Sequence, residues 1–338
     1  MRAHPTATFS AQAPAGSSRG CALLATPDPA FRNDVLAGLS AAIPAVPARW
    51  LYDKRGSELF DAITRLPSYY LTATETALLE RIAPELGKRI AQGAAVVEFG
   101  SGSSTKTPLL LDAVEPAAYV PVDISGEYLE KSAEELRVRY PALPVLPVTA
   151  DFGRPFDLPG EVADMRKLGF FPGSTIGNFV PRSATDLLRH FRELLGIGAL
   201  LLIGMDRVKP IERLRAAYNE PEGITASFNL NLLERINGEL DATIPLDAFR
   251  HEVRWNDMLS RIEMHLVATR DVEFTIAGRG FAFKADETIH TENSHKYGRR
   301  GARMLLLAGG WTPVDEWTDA NGDFSIVLAE AQPNRVAP

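Results

Sequence analysis

Apolar residues recur at helical spacing over residues 74–90, where Ala77, Leu78, Leu79, Ile82 and Leu86 share a face, and this pattern predicts a helix. Residues 28–39 and 57–66 read as shorter helices, with Arg55-Gly56-Ser57 supplying a turn and an N-cap before the second. Beyond residue 93 the pattern changes. An apolar run over 94–99 ends in Gly100-Ser101-Gly102 and leads into a helical stretch over 106–114. The alternation continues with a strand over 118–122 that ends at Asp123, a helix over 126–140, and a strand over 145–150 that ends at Asp151. A strand over 168–176, a helix over 183–195 and a strand over 199–204 complete it. Strands alternating with helices imply an α/β fold with a parallel sheet covered on both faces. Such sheets bind ligands beyond the carboxyl ends of their strands, where strand order reverses. Here each strand end carries a glycine or a polar residue.

Residues 208–296 break this rhythm. Helices are expected over 211–218 and 227–240, and the alternation over 253–255, 261–268 and 272–276 is that of antiparallel strands, so the segment reads as an inserted subdomain. A helix over 302–309 and a strand over 324–328 return the chain to the sheet. With 338 residues and 45% apolar composition, the chain has material for a large core in one or two domains. A net charge of −7 excludes a uniformly basic surface for nucleic acid, and no apolar run reaches the roughly 18 residues that a membrane span needs. The single cysteine, Cys21, excludes an internal disulfide and suits a reducing cytoplasm. Residues 1–20, rich in Ala, Ser, Pro and Gly, read as a disordered leader.

The glycine loop admits three ligand classes. A dinucleotide site wants G-x-G-x-x-G, but the third glycine position is Thr105. A P-loop for ATP wants G-x-x-x-x-G-K-[ST]; Lys106-Thr107 fits and Thr105 again stands where glycine belongs, while Glu98 just upstream would repel a triphosphate. The third reading is a nucleoside site of the form acid-x-Gly-x-Gly, fitted by Glu98-Phe99-Gly100-Ser101-Gly102. Asp123, ending the next strand, can accept from both ribose hydroxyls, and Asp151-Phe152 can meet a base by hydrogen bond and ring contact. One acid at a strand end is usually a solvated cap. Three in order favour the nucleoside. His290 and His295 have no H-E-x-x-H or cysteine partner, so they read as a surface pair and no metal site is expected.

Longer blocks carry a resemblance. Trp50-Leu51-Tyr52-Asp53, Gly56-Ser57-Glu58-Leu59-Phe60, Ile63 through Tyr70, Glu98 through Thr107, Gly173-Ser174-Thr175-Ile176-Gly177-Asn178, Ala217-Tyr218-Asn219, Arg261-Ile262-Glu263-Met264 and Thr291-Glu292-Asn293-Ser294 stand in the order found in the L-histidine Nα-methyltransferase family. The resemblance spans roughly residues 30–330. Leu51 stands where the family has an aromatic residue, and Ser103-Ser104 where it usually has an acid. It implies a Rossmann-like class I S-adenosylmethionine (SAM)-dependent methyltransferase sheet with an inserted α+β substrate-binding subdomain. The division implied is a methyltransferase core over 21–73, 93–207 and 297–333, and a substrate unit over 74–92 and 208–296. By resemblance Gly100, Lys106, Asp123, Asp151 and Phe152 contact SAM, while Tyr69, Gly173, Asn178, Tyr218, Glu292 and Ser294 surround histidine and Met264 shapes the imidazole pocket. Tyr52 is the expected hydrogen-bonding neighbour of the reacting amine. The activity implied is transfer of methyl groups to the α-amino group of L-histidine, giving hercynine for ergothioneine, in the cytoplasm and alongside the other enzymes of that pathway.

Methyl transfer from a sulfonium is a direct displacement, so the protein mainly has to position a neutral amine. By resemblance Asn178 and Tyr218 hold the carboxylate, as neutral donors that do not compete with the cationic sulfonium, and Glu292 and Ser294, two apart on an extended segment, point the same way and can both reach the imidazole. Three rivals stay open at this point: methylation of another free amino acid such as tryptophan, ATP binding through the P-loop-like segment, and a non-catalytic sensor of SAM.

Overall fold

A computed structural model of the chain describes residues 28–102 and 106–333; the expected leader over 1–20, Cys21 and Ser103-Ser104-Thr105 lie outside the described residues. The run Ala95–Phe99 (β1) is buried along its whole length, as a strand covered on both faces must be. It pairs in parallel with β2 (Ala118–Asp123) on one side and β4 (Lys167–Phe171) on the other. With β3 (Val148–Thr149), β5 (Leu200–Asp206), β11 (Trp311–Thr318) and β12 (Phe324–Ala331) the sheet has seven strands in the order β11-β12-β5-β4-β1-β2-β3. Only β12 runs against the sheet: it pairs antiparallel with both β5 and β11. Strand order reverses between β1 and β4, so the switch-point crevice lies beyond Phe99 and Phe171.

Strand alternation sorts the two faces. Ala95, Val97 and Phe99 point towards α6 (Pro181–Leu195) and α9 (Arg299–Ala308), meeting Leu188, Phe191 and Leu306. Val96 points the other way, into a core with α3 (Tyr70–Arg89), α4 (Thr107–Val114) and α5 (Gly126–Arg139). The second unit holds α7 (Ile211–Tyr218), α8 (Ile224–Glu239) and a three-stranded antiparallel sheet ordered β10-β7-β6, from β6 (Phe249–Asn256), β7 (Arg261–Ala268) and β10 (Thr288–His295). A hairpin of β8 (Val272–Ile276) and β9 (Arg279–Phe283) completes it, turning through Ala277 and Gly278 at φ of 48° and 78°, a two-residue turn of left-handed residues that suits strand twist. No helix among the described residues is long and apolar enough to cross a membrane.

The packing departs from the expected division at residue 74. Leu78, Leu79, Ile82 and Leu86 of α3 pack on the sheet, beside Val96 and Phe170. The segment before it, with α1 (Pro29–Leu39), the turn Ala48–Leu51 and α2 (Lys54–Thr64), shares instead a core with Phe228, Leu232 and Ile262 of the second unit. The apolar stripe of α3 is what decides this, because it covers the apolar face that Val96, Leu168 and Phe170 present on β1 and β4. Two expected strands are shorter. Pro147 lacks an N–H, so only Val148–Thr149 remains of the strand over 145–150, with a lone bridge from Tyr119 to Val145. The strand over 168–176 stops at Phe171, because Gly173 and Ser174 take φ of 77° and 58° and the chain winds into a 3-10 turn over Thr175–Asn178.

Candidate active site

A cavity of about 950 Å³ opens beyond the carboxyl ends of β1, β2 and β4 and continues under the second unit. Every residue expected in the site lines it except Met264. Met264 pairs with Glu292 across β7 and β10 and so shares its face of the sheet; its side chain is buried in the apolar cluster that also holds Tyr69 and Tyr218, which line the cavity. Met264 does not itself line the cavity but packs among residues that do.

At the sheet end, Gly100 and Gly102 turn at φ of 72° and 49°, and a Cβ on Gly100 would stand 3.4 Å from the Phe152 ring. Glycine there leaves a slot between loop and ring. Phe152 is held edge-on by Phe99 and Phe171 and leans on Phe179. Asp123 accepts from Gly102 N at 3.0 Å and Ser125 N at 2.9 Å, one bond on each oxygen. A carboxylate offers about four acceptor positions, so capacity remains for a ligand hydroxyl. Burial raises the Asp123 carboxyl above its ordinary value, against the backbone N–H groups of Ser125, Gly102 and Ile124. Asp151 accepts from Gly153 N at 3.0 Å and is anchored by Arg49 at 3.0 Å, which also holds Asp34 at 2.5 Å. Open glycine turns, spare acceptors on Asp123 and an aromatic wall fit an adenosine.

Beneath the loop lies Glu98, which accepts from Thr107 Oγ1 and Tyr119 Oη, both at 2.7 Å; burial pushes its carboxyl up to about 7 despite those donors. Lys106 is ion-paired with Glu75, which is 1% exposed and also accepts from Gly173 N at 2.9 and 3.0 Å. The lysine is thus already neutralised by a buried acid, which argues against the triphosphate cradle of a P-loop.

At the other end, Glu292 Oε1 accepts from Tyr52 Oη at 3.2 Å and Asn178 Nδ2 at 3.1 Å, leaving Oε2 for a ligand. Burial raises the Glu292 carboxyl to about 7, with Tyr52 and Lys296 opposing. Burial, then the charge of Glu292, holds the Tyr52 phenol well above the ordinary tyrosine range, and burial does the same for Tyr69 and Tyr218. All three stay protonated, so they direct hydrogen bonds and do not act as ionised bases. Tyr218 Oη and Ser294 Oγ lie 2.8 Å apart, and Lys296 Nζ donates to each at 2.8 Å. Lys296 pairs with Asp206 at 2.7 Å; Asp206 also accepts from Tyr70 at 2.7 Å and is bonded to Lys209, whose ammonium burial lowers to about 8.

His290 and His295 are not a surface pair. β10 is covered by β7 and by the turn over Thr175–Asn178, so His295 is 4% exposed with Nδ1 2.8 Å from Gly177 O, while His290 is half-buried. Glu263, His265 and His290 bring potential ligand atoms within 4.8 Å of one another. However, Arg261 occupies Glu263 at 2.7 Å, and the two imidazoles stack at 19°, so their in-plane lone pairs run side by side instead of converging. Four site residues escape the sequence reading: Arg49, Glu75, Asp206 and Lys296. Two carried a signal. Glu75 puts a charge on the apolar stripe of α3, and the alternation that aligns Glu292 with Ser294 extends to Lys296.

Residues 31–331 match the family described as "Histidine-specific methyltransferase, SAM-dependent". The chain is 39% identical over 309 residues to the histidine N-alpha-methyltransferase of Mycolicibacterium smegmatis, covering 89% of this chain and 94% of the relative. It is 38% identical over 306 residues to the enzyme of the same name from Mycobacterium tuberculosis, with 89% and 94% covered. Ergothioneine biosynthesis protein 1 of Neurospora crassa is 32% identical over 295 residues, which is 85% of this chain and 33% of that longer protein. The seven-stranded sheet with its antiparallel β12 is the class I methyltransferase architecture. The chain therefore belongs to the SAM-dependent, histidine-specific methyltransferases.

Proposed function

We propose that the chain methylates the α-amino nitrogen of free L-histidine, in up to three rounds, giving the trimethylated betaine hercynine for ergothioneine biosynthesis. The observation that carries this reading is one continuous cavity with Asp123 and Phe152 at one end and Asn178, Tyr218, Glu292 and Ser294 at the other. When bound, SAM supplies an electrophilic methyl group on its sulfonium. The chain supplies placement. Asp123 takes the ribose hydroxyls, Phe152 flanks the base beside Asp151, and Lys106, held by Glu75, borders the methionine end of SAM next to Gly173. On the substrate side, Asn178 and Tyr218 donate to the histidine carboxylate, while Glu292 and Ser294 engage the imidazole. That leaves the amine near Tyr52 and Tyr69, whose phenol oxygens accept its N–H hydrogens and turn its lone pair towards the sheet. Because both phenols stay protonated, the proton released before each transfer leaves through water. Fixing both reactants in one enclosed space replaces a bimolecular encounter with a local one.

The experiment is incubation of the purified protein with SAM and histidine, followed by mass spectrometry. Products carrying one, two and three methyl groups are expected, with fragmentation placing every methyl on the α-nitrogen. Ring-methylated histidine, or no product from folded protein that binds SAM, would refute the reading.

A further inference from the structure

We infer that Lys296 is a positioning residue that makes Tyr218 and Ser294 hydrogen-bond donors, so that the site demands an unprotonated ring nitrogen as well as a carboxylate. The inference rests on the proposed reading of the substrate end and adds to it a residue and a polarity.

The argument is a count of hydrogens. The Lys296 side chain is 0% exposed, and its ammonium has three N–H groups and three partners: Asp206 Oδ2 at 2.7 Å, Tyr218 Oη at 2.8 Å and Ser294 Oγ at 2.8 Å. Each hydroxyl has one hydrogen to give. With lysine already donating to both oxygens, those hydrogens are the only donors that the pair has left. In the free site one hydroxyl can donate to the other across their 2.8 Å contact. With a ligand present both can turn into the cavity and remain satisfied, because each still accepts from Lys296. Without the lysine, either hydroxyl could accept as readily as donate, and the pair would have no fixed sense. Burial lowers the Lys296 ammonium and Asp206, itself braced by Tyr70, opposes that by pairing with it. Opposite stands Glu292, an acceptor for a ring N–H. One acceptor and one obligate donor together read a neutral imidazole with its two different nitrogens; an imidazolium would set an N–H against the Ser294 hydrogen.

The test pairs histidine with a pyrrolylalanine that keeps the ring N–H and replaces the other nitrogen with C–H. Calorimetry on the wild-type protein with S-adenosylhomocysteine bound is expected to favour histidine by about 10-fold or more, the worth of one hydrogen bond in a charged setting. A ratio near one overturns the inference without any variant being made. Lys296→Met is expected to weaken histidine at least about 10-fold while changing the pyrrole analogue by less than about threefold and leaving S-adenosylhomocysteine binding unchanged. Equal losses on both amino acids would mean that Lys296 only supports the fold, and would overturn the assignment. Where Lys296→Met fails to fold, the paired variant Lys296→Met with Asp206→Asn removes the buried charges together and is expected to show the same selective loss. A wild-type protein that binds neither amino acid refutes the histidine reading itself, a result distinct from loss of discrimination.

Discussion

Glu292 is a buried carboxylate whose usefulness depends on being ionised. Its carboxyl is raised to about 7, chiefly by burial. Above that pH it is a carboxylate with Oε2 free to take an imidazole N–H. Below it the group is protonated, and an acid hydrogen meets the ring instead. The sign follows: histidine affinity should fall as pH drops from 8 to 6, by about tenfold once only about a tenth of the carboxyl is ionised. Histidine titrates in this range too, but its titration is common to wild type and variant and cancels in their ratio. Glu292→Gln should therefore bind histidine more weakly at pH 8 and lose the extra slope, so that the two affinities converge towards pH 6. Calorimetry at three pH values checks this, and a constant ratio would show that Glu292 does not titrate against the substrate.

The elements place these residues by devices that differ in how well a sequence displays them. The strands β1, β2 and β5 are readable because central parallel strands are largely apolar, and Gly100 and Asp123 follow from where those runs stop. β11 was not read, since this edge strand is half-exposed over most of its length and mixes Thr, Pro, Asp and Glu with Trp and Val. β10 was recognised as extended but not as a paired strand, and the ends of β3 and β4 were set by prolines and left-handed residues. Glu75 shows the limit for side chains. Its partners Gly173 and Lys106 lie 98 and 31 residues away, so its role exists only once α3 lies across the sheet. The fit is tight: a Cβ at Gly204 on β5 would stand 2.0 Å from Glu75 Oε1 and 3.0 Å from the Phe324 ring. Gly204→Ala is expected to cost about 1–3 kcal/mol in chemical denaturation, the usual penalty of an overfilled core. In a Glu75→Ala background the obstructing carboxylate is gone, and the same substitution should cost at least about 1 kcal/mol less. Additive costs would mean that the carboxylate is not what reserves the glycine.

At the scale of the whole molecule, the apolar residues form three separate cores, one on each face of the sheet and one joining the N-terminal helices to the second unit, and the cavity lies between the sheet and that unit. Polar residues hold the seam. Asn178, on the turn after β4, reaches Glu292 on β10, and Asp206 at the end of β5 reaches Lys296 just beyond β10. A substrate bound between Asn178 and Glu292 adds another tie across that seam, so its binding energy should appear as stability of the whole chain. At a ligand concentration about 100 times Kd, binding to the folded state alone contributes about 2.7 kcal/mol. For a chain of this length, with an unfolding entropy near 2 cal/mol/K per residue, that raises Tm by about 4 °C. Thermal unfolding with S-adenosylhomocysteine present should therefore shift by about that amount when histidine is added. In Glu292→Ala, loss of the ring contact should weaken histidine by about 10–100-fold and cut the shift at the same concentration to below about 2 °C. The shift produced by S-adenosylhomocysteine alone should be the same in both proteins, since Asp123 and Phe152 lie at the other end of the cavity. A full histidine shift in the variant would place the amino acid away from Glu292 and separate the seam from the substrate.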